Sequence, residues 1–456
     1  MLISKESLNK YDVPGPRYTS YPTAPEWLDN ITQENYREKL REIGQSEKTL
    51  SLYFHVPFCE SLCTFCACSV AIRKREEKYG EEYLEHLFGE IDLVRGAIGS
   101  KKIVKQLHWG GGTPTFLADG QLKRLMDKIQ NAFAVDPEGE IAVEVDPRTI
   151  TRARLKNLRT LGFNRISLGV QDFSPEVQKQ INRVQTFAMV KNATKWCRSL
   201  GFSSVNFDLI YGLPQQSQAS FSGTIEKVIS LKPDRIALYS FAFVPWLKKH
   251  QQKIHPELLP SHDEKLNIFL EARRMFLEGG YQAIAMDHFA LAEDELAQSF
   301  NEGRLYRNFM GYTVKPADEY LGFGVTAIGF LSGMFIQNSK TLPEYYAGLK
   351  QNRLPIERGK LLSGDDRIRQ WVINSLMCRF HVDKKEFEAI FGGKFDTYFT
   401  DEREHIETCV QDNLLHETTN MLMVKELGRL FVRNICMGFD SYLQKQQSGR
   451  RYSQTV

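Results

Sequence analysis

The chain has 456 residues, of which 42% are hydrophobic and 25% are charged, and a formal net charge of +3. This composition is typical of a soluble globular protein with two or three domains, and the small charge excess gives no indication of a nucleic-acid partner. The first residues lack the apolar stretch of a secretory signal, and no apolar run is long enough to cross a bilayer, so we expect a cytoplasmic protein without a membrane span.

The first predicted element is an extended arm. Residues 11–27, YDVPGPRYTSYPTAPEW, contain too many prolines for a regular helix or strand, and their aromatic side chains need a surface to pack on. We therefore assign residues 1–34 to an N-terminal arm.

Six short β-prone runs then alternate with amphipathic helical stretches. This alternation predicts parallel βα units, and hence an α/β sheet or barrel whose chemistry collects at the carboxyl ends of the strands. The glycine-rich run at 321–336 predicts buried, closely packed backbone. The six runs are LSLYFHV (50–56), QLHWG (106–110), IAVEV (141–145), RISLGV (165–170), SVNFDLI (204–210) and RIALYSF (235–241).

The pattern changes after about residue 355. The stretch SGDDRIRQWVINSLMCRF is helical in character, residues 414–424 predict a hairpin, and residues 426–443 predict a long final helix. These features predict a main α/β domain over residues 35–355 and a mainly helical C-terminal domain over residues 356–456.

Four of the eight cysteines lie close together in FHVPFCESLCTFCAC (54–68), directly after the first β-prone run. A disulfide is disfavoured in the cytoplasm and strained at such short spacings. Structural zinc normally uses two ligand pairs separated by a longer loop, and ferredoxin clusters use C-x2-C-x2-C. We expect the remaining cysteines to be buried thiols in apolar surroundings; they are Cys197, Cys378, Cys409 and Cys436.

The observed spacing, C-x3-C-x2-C-x-C, resembles the motif of the radical S-adenosylmethionine enzymes. In that superfamily three thiolates bind three irons of a 4Fe-4S cluster and leave the fourth iron open for S-adenosylmethionine, whose sulfonium is split by an electron from the cluster. On this resemblance Cys59, Cys63 and Cys66 are the cluster ligands, and Cys68 is left over. Structural zinc stays the alternative that a metal analysis would decide.

Other residues that suit this cofactor follow the later runs. The stretch GGGT (110–113) lets main chain approach a methionyl amino group, because glycine has no Cβ. Glu144 and Asp208, each at a strand end, can accept hydrogen bonds from ribose or ammonium groups. Gln171 and Arg183 offer an amide and a guanidinium that can bind a carboxylate. Each residue alone has an ordinary structural explanation, but together with the cysteines they favour one site.

Along nearly its whole length the sequence resembles the oxygen-independent coproporphyrinogen III oxidases of heme biosynthesis. This resemblance implies a partial TIM-like barrel of six βα units, open on one side for a tetrapyrrole and covered by the arm and the helical domain. The stretches that carry it are PGPRYTSYPT, FHVPFCESLCTFCAC, HWGGGTPTFL, EVDPRTI, GFNRISLGVQDF, INRVQ, DLIYGLPQQ, MDHFA, YRNFMGYT and RNICMGFDSYL.

The resemblance implies an oxidoreductase that acts without oxygen. Through a 5'-deoxyadenosyl radical, it would decarboxylate two propionates of coproporphyrinogen III to vinyl groups and give protoporphyrinogen IX. The implied cofactors are one 4Fe-4S cluster and two S-adenosylmethionine molecules. The first molecule would contact Tyr53, Gly111, Glu144 and Ile328. The second would contact Phe65, Gly112, Thr113, Gln171, Arg183, Asp208 and Ala242. Cys68 would be a catalytic residue beside the second molecule, or else a packed thiol.

The arm and two later arginines are the expected substrate contacts. Arg17, Tyr18 and Tyr21, with Arg307 and Arg433, could contact propionates, although any of these arginines could instead pair with an acidic neighbour. The protein is expected to act as a monomer with an electron donor that the sequence does not identify. Residues 244–254, VPWLKKHQQKI, have no functional interpretation from the sequence.

Two relatives with the same cofactor are the alternatives. One is a heme-binding, chaperone-like paralogue, and the other is an enzyme of anaerobic heme degradation. The chaperone-like proteins typically lack the proline-rich arm, the fourth cysteine and the NRxQ element, whereas this chain has all three features. The sequence therefore favours the oxidase.

Overall fold

A computed structural model describes residues 10–28 and 30–444, together with residues 452 and 454. Six strands that match the six β-prone runs form the centre of the fold. Each pairs in parallel with the next along the chain, which confirms the predicted α/β class. These strands, β1 to β6, are Leu50–Val56, Ile103–Gly111, Ala134–Val145, Arg165–Gln171, Ser204–Tyr211 and Arg235–Ser240.

Helices connect the parallel strands, as the predicted βα units require. Hydroxyl side chains define several of their starts: the Ser261 hydroxyl accepts a hydrogen bond from the Glu264 main-chain nitrogen, and the Glu264 carboxylate accepts one in return from the Ser261 main-chain nitrogen. The helices up to the end of the parallel sheet are Gln33–Gly44, Glu77–Ile98, Asp119–Ala132, Arg152–Thr160, Pro175–Gln180, Phe187–Ser199, Gln218–Leu231 and His262–Glu278. Short 3-10 turns are Ala24–Glu26, Pro114–Phe116, Pro147–Thr149, Lys249–Lys253 and Pro256–Leu258.

The sheet extends beyond the six runs to twelve strands. At one edge, β7 and β8 are antiparallel to their neighbours, and at the other edge β9 pairs in parallel with β1 before an antiparallel continuation. Within the described residues the two end strands do not pair, so the barrel is partial. The added strands are β7 (Tyr281–Ile284), β8 (His288–Leu291), β9 (Glu319–Phe323), β10 (Ile328–Leu331), β11 (Met334–Asn338) and β12 (Ile356–Leu361).

Strand β12 lies beyond the predicted domain boundary after residue 355. It pairs with β11, so the main sheet continues into a segment that the sequence analysis assigned to the helical domain. The strand lies at the edge of the sheet, where residues can be polar, so its sequence lacks the apolar pattern that predicts a strand. The wider division into residues 1–34, 35–355 and 356–456 stays a prediction.

The C-terminal part is mainly helical, with one small three-stranded sheet. The predicted hairpin is confirmed by two antiparallel strands, Leu415–Glu417 and Met421–Val424, and the third strand is His381–Asp383. The prediction of a single long final helix was wrong. The backbone is not helical at Phe431, whose fully buried ring packs into the core. The helices here are Gly364–Arg379, Lys384–Phe391, Phe395–Tyr398, Arg403–Gln411, Glu426–Leu430, Val432–Met437 and Ser441–Gln444.

Two further helices and a short ribbon connect the sheet to this part. The helices are Glu295–Asn301 and Leu342–Lys350, and the ribbon pairs Tyr306–Asn308 with Gly311–Thr313. Among the described residues, no helix combines the length and the apolar character needed to cross a bilayer.

The arm packs on both parts of the protein. The Trp27 ring is fully buried and stacks on Phe335 of β11, with ring centroids 4.8 Å apart. Tyr11, Tyr18 and Tyr21 belong to the hydrophobic core of the C-terminal part. The four isolated cysteines are buried, as predicted. The arm therefore joins the sheet to the helical segment and closes over the region between them.

Candidate functional site

One cavity of about 870 Å³ extends from the carboxyl ends of the parallel strands towards their starts, where Arg165, Ser204 and Arg235 also line it. All four clustered cysteines, Cys59, Cys63, Cys66 and Cys68, are part of its wall. The structure also brings most of the expected cofactor-binding residues to this wall: Phe65, Gly111, Gly112, Thr113, Glu144, Gln171, Arg183 and Asp208. Residues that are more than a hundred positions apart in the chain therefore line one cavity.

The cysteine loop, residues 59–68, is anchored at its base and its middle. Phe58–Cys59 pairs with Ala71–Ile72 as a short parallel bridge that closes the loop. The Phe58 ring is buried. In the middle of the loop, the Thr64 main-chain nitrogen donates to the Ile181 carbonyl oxygen at 3.1 Å. The loop is thus attached both to β1 and to the segment that carries INRVQ.

Two guanidinium groups lie beside the Cys63 sulfur. Arg183 Nη1 is 3.6 Å and Arg148 Nη2 is 3.8 Å from this sulfur. Burial opposes ionisation of Asp146, but its ion pairs with Arg183 (3.1 Å) and Arg148 (2.7 Å) hold the pKa of its carboxyl below the usual value. The two guanidinium groups thus bring positive charge to the cysteine loop. The sequence analysis did not single out Asp146 and Arg148, although their place in EVDPRTI, just after β3, was an available signal.

The other sulfurs of the loop have different surroundings. Burial raises the pKa of the Cys59 thiol to about 11, and its sulfur lies 3.4 Å from Thr113 Oγ1. The hydrogen bond from the Cys68 thiol lowers the pKa of Cys66 to about 7. In the described part of the chain, no three His, Cys, Asp or Glu side chains converge on a point that one metal ion could occupy. Thiolates that bind three separate irons need no such convergence.

Close packing explains the glycines of GGGT. Gly111 has a φ of 107°, and a Cβ there would lie 2.5 Å from the His55 ring. A Cβ on Gly112 would lie 2.7 Å from the main-chain carbon of Pro57 and 2.8 Å from the Phe58 carbonyl oxygen. The loop therefore places bare main chain against the base of the cysteine loop.

The Glu144 carboxylate is oriented by two donors. His108 Nε2 donates to Oε1 at 3.0 Å, and the Gly111 main-chain nitrogen donates to Oε2 at 3.2 Å. Burial acts against ionisation, yet these bonds and the imidazole charge hold the pKa of Glu144 below its usual value. An ionised carboxylate at the cavity wall can bind an ammonium or hydroxyl group. His108, like Asp146 and Arg148, was not predicted from the sequence as a site residue.

A hydrogen-bonded chain runs from β1 to the end of the cysteine loop. The Tyr53 hydroxyl donates to His55 Nδ1 at 3.0 Å, and His55 Nε2 donates to the Ser69 carbonyl oxygen at 2.9 Å. Because a carbonyl only accepts, the imidazole carries its proton on Nε2. Burial lowers the pKa of His55, which favours this neutral form. The sequence analysis also did not identify His55, which lies within FHVPFC.

Asp208 is a buried carboxyl on β5. Its Oδ2 accepts from the Ser167 hydroxyl at 2.7 Å, and its Oδ1 accepts from Asn206 Nδ2 at 2.8 Å. Burial raises the pKa of Asp208 to about 6. Its carboxyl can hold a hydroxyl group of a ligand in the cavity.

Gln171 and Arg183 form another part of the wall. Arg183 Nη2 donates to the Gly169 carbonyl oxygen at 2.7 Å. Within the described structure, Gln171 Oε1 and Arg183 Nε are buried and have no hydrogen-bond partner. Buried polar atoms without partners are costly, so these two atoms indicate that polar groups of a ligand belong here.

Three expected cofactor contacts do not line this cavity. Tyr53 stacks on His108, with ring centroids 5.9 Å apart. The Ala242 carbonyl oxygen accepts a hydrogen bond from Gln251 Nε2 at 3.1 Å, and Ile328 lies at the start of β10. Among the described residues, these three therefore stand outside the wall of the cavity.

The structure does not bring the two arm tyrosines to the cavity, in contrast to their assignment as substrate contacts. Tyr18 is 2% and Tyr21 is 0% exposed. The Tyr18 hydroxyl donates to Asp440 Oδ2 at 3.0 Å, and the Tyr21 hydroxyl lies 3.1 Å from Ser441 Oγ. Both phenols thus have apolar packing and a polar partner inside the C-terminal core, which accounts for them without a substrate.

Three arginines, Arg17 of the arm with Arg307 and Arg433, lie close together where the arm packs on the rest of the protein. Arg17 Nη2 donates to the Ser240 carbonyl oxygen at the end of β6 at 2.7 Å. Arg307 Nη1 donates to the carbonyl oxygens of Arg17 (2.9 Å) and Tyr18 (2.8 Å), and Arg433 Nε donates to that of Pro16 (2.9 Å). Burial, followed by the charges of Arg17 and Arg307, lowers the pKa of Arg433 to about 9. Positive charge is therefore concentrated at the end of β6.

Two family models match the chain. The Radical SAM superfamily matches residues 53–228, which include the second half of β1 and all of β2 to β5, and the HemN C-terminal domain matches residues 362–431. The first match contains the cysteine loop, GGGT, Glu144 and Asp208.

Full-length relatives share one name. The oxygen-independent coproporphyrinogen III oxidase of Synechocystis sp. is 42% identical over 100% of this chain and 98% of its own length. The protein of that name from Escherichia coli is 40% identical over 98% of this chain and 97% of its own length. The solved structure of the coproporphyrinogen III oxidase from Escherichia coli, a radical SAM enzyme, has a TM-score of 0.90 and 40% identity, and the match covers 93% of this chain and 97% of that one.

Proposed function

The chain belongs to the oxygen-independent coproporphyrinogen III oxidases, and from this membership and the geometry of the cavity we propose that it converts coproporphyrinogen III to protoporphyrinogen IX in heme biosynthesis. Two propionate side chains become vinyl groups, and each conversion removes a hydrogen atom, CO2 and one electron. The observation that carries the proposal is the shared cavity of the cysteine loop, Glu144, Gln171, Arg183 and Asp208 in a chain that matches the family over its whole length.

The family implies a 4Fe-4S cluster and S-adenosylmethionine, and the residues present fit both groups. Three thiols in one loop beside two guanidiniums suit an anionic cluster. The glycine cradle, the oriented Glu144 and the unpartnered Gln171 Oε1 suit a ligand with amino, carboxylate and hydroxyl groups. When bound, these cofactors supply abstraction of a hydrogen atom from an unactivated carbon.

Each group of residues has a separate role in this proposal. Cys59, Cys63 and Cys66 would hold the cluster. Glu144 and Gly111 would bind the amino group of the first S-adenosylmethionine, and Tyr53 and Ile328, which lie outside the cavity wall, stay predicted contacts of this molecule. The second molecule would contact Phe65, Gly112, Thr113, Gln171, Arg183, Asp208 and Ala242. The cavity volume of about 870 Å³ and its many polar wall groups support two molecules.

We assign Cys68 a catalytic role beside the second molecule. It lies outside the C-x3-C-x2-C set and is exposed on the loop, and its thiol donates to Cys66. A thiol in this place could contact a bound cofactor or substrate without occupying an iron. We further assign the protein to the cytoplasm, where its cysteines would stay reduced, and expect it to act as a monomer with an external one-electron donor.

The product of an anaerobic reaction tests the proposed function. Reconstituted protein is incubated with coproporphyrinogen III, S-adenosylmethionine and a low-potential reductant, and the porphyrins are separated after oxidation. The expected result is protoporphyrin, formed only when S-adenosylmethionine is present. Unchanged coproporphyrin would contradict the proposal, and so would opening of the tetrapyrrole ring.

The same assay separates the two alternatives. A chaperone-like paralogue would bind heme without forming the divinyl product, and a heme-degrading enzyme would consume heme. The match of the arm and of the C-terminal part to the oxidases favours the oxidase.

We propose that the positive charge beneath the arm attracts substrate carboxylates, with Arg17 closest to the end of β6. Arg17→Gln removes the charge and the hydrogen bond from Nη2 to the Ser240 carbonyl oxygen, and it keeps a polar side chain in the arm. We expect this variant to raise KM for coproporphyrinogen by about ten- to a hundredfold, since a charge-assisted hydrogen bond contributes about 1.5–3 kcal/mol, and to leave the KM for S-adenosylmethionine unchanged. The control is Arg41→Gln, which removes an exposed arginine paired with Glu34. Equal KM values for the two variants would remove Arg17 from the substrate site.

A further inference from the structure

A short segment after β6 lies directly over the cysteine loop. Residues 244–254 include the 3-10 turn Lys249–Lys253, and three side chains of this segment reach main-chain carbonyls of the loop. We call these three residues, Lys248, His250 and Gln251, the clamp. Their targets lie in the second half of the loop, which contains the third cluster ligand, Cys66.

Gln251 joins the cysteine loop to the main chain just after β6. Its side chain is fully buried, and Nε2 donates to the carbonyl oxygens of Phe65 and Ala242 at 3.1 Å each. Its Oε1 accepts from the Val244 main-chain nitrogen at 2.6 Å. Both ends of the amide are therefore used. The cysteine loop is held at a fixed position relative to Ala242, a residue assigned to the second S-adenosylmethionine.

His250 and Lys248 bind the carbonyls that follow in the loop. His250 Nε2 donates to the Cys66 carbonyl oxygen at 2.7 Å, and Lys248 Nζ donates to that of Cys68 at 3.1 Å. The first half of the loop has a different support, because Asn182 Nδ2 donates to the Leu62 carbonyl oxygen at 2.8 Å. The two halves can thus be loosened separately.

We propose that Lys248, His250 and Gln251 are positioning residues that hold Phe65 to Cys68 in place for cluster binding. The proposal rests on the proposed function through the assignment of Cys66 as a ligand. The clamp touches only carbonyl oxygens of the loop in these bonds, so it leaves the sulfurs available. A loop that is ordered before the cluster enters loses less conformational entropy on binding it, and the cluster is then held more tightly.

His250→Ala tests the clamp with two measurements. In the apo-protein, the alkylation of each cysteine by iodoacetamide is followed by mass spectrometry. Repeating the measurement over a range of pH separates the access of the reagent to each sulfur from the fraction of that thiol that is ionised. We expect alkylation of Cys66 and Cys68 to become about three- to tenfold faster, the factor for one lost hydrogen bond, and that of Cys59 to stay unchanged. In reconstituted protein, iron release to a chelator should accelerate by a similar factor. His250→Gln keeps a side-chain donor and should restore both rates towards those of the original protein.

The matched control is His255→Ala, because the His255 side chain is 70% exposed and pairs with Glu257. We expect this variant to leave both rates unchanged. Equal rates in the two alanine variants would overturn the proposal, as would an equal acceleration at Cys59, which would indicate general loosening. If the original protein binds no iron, the proposed function fails, whereas alkylation of the apo-protein still decides whether the clamp exists.

Discussion

Cys63→Ala is expected to abolish cluster binding and reduce the formation of protoporphyrinogen to background. Cys63 is the middle residue of the C-x3-C-x2-C set, and its sulfur faces Arg183 at 3.6 Å and Arg148 at 3.8 Å. The variant keeps the two guanidinium groups but leaves only two of the three proposed iron ligands, so the cluster is no longer held at one of its irons. Iron and sulfide analysis, visible absorbance and the anaerobic product assay measure the effect.

The control for this variant is Cys197→Ala. Cys197 is a buried cysteine in the helix Phe187–Ser199, packed in the main hydrophobic core. Its replacement is expected to cost about 1 kcal/mol of stability, a typical value for a point substitution, and to leave the iron content unchanged. Full iron content in Cys63→Ala would contradict the ligand assignment. One zinc and no iron in the original protein would instead support the structural-zinc alternative.

The local sequence pattern was sufficient to predict the central strands. It was not sufficient to predict strands that form only through pairing with a distant part of the chain. The six β-prone runs match β1 to β6 because each has the apolar character of a strand buried between helices. Strand β9, Glu319–Phe323, was not predicted, since it runs into the glycine-rich stretch 321–336 and forms a parallel strand only by pairing with β1. A pairing partner so distant in the chain leaves no local periodicity to detect.

The site residues show the same contrast: some could be predicted from the local sequence, and others only from contacts between distant segments. Residues at strand ends, such as Glu144 and Asp208, could be selected because parallel strands bring their carboxyl ends together. His55, Asp146 and Gln251 were not identified, because each acts through contacts with other segments that only the fold brings near. Tyr18 illustrates the opposite case: an aromatic residue in an arm suits a substrate or a core equally, and the structure shows it buried against the C-terminal part.

Gly112→Ala is expected to lower kcat by about a hundredfold, the effect of displacing catalytic groups by about 1 Å. The added Cβ would lie 2.7 Å from the Pro57 carbon and 2.8 Å from the Phe58 carbonyl oxygen, both main-chain atoms that cannot move aside as a side chain can. Hydrogen bonds from Gly112 N to Val56 O (2.8 Å) and from Thr113 N to Phe58 O (2.9 Å) hold the two segments together. The methyl group must therefore move the base of the cysteine loop relative to GGGT. The anaerobic product assay gives kcat, and iron analysis gives the cluster content.

The control is Gly120→Ala in the helix Asp119–Ala132, where an added Cβ meets no atom within 4 Å. Alanine is favoured over glycine in a helix by about 1 kcal/mol, so this variant should be fully active and at least as stable as the original protein. Denaturation of the two apo-proteins separates loss of positioning from loss of folding, because Gly112→Ala should keep a cooperative transition while its kcat falls. An unchanged kcat in Gly112→Ala would show that GGGT and the cysteine loop can move apart without disturbing the reaction. The close contact of these two segments would then not be needed to position the cofactors.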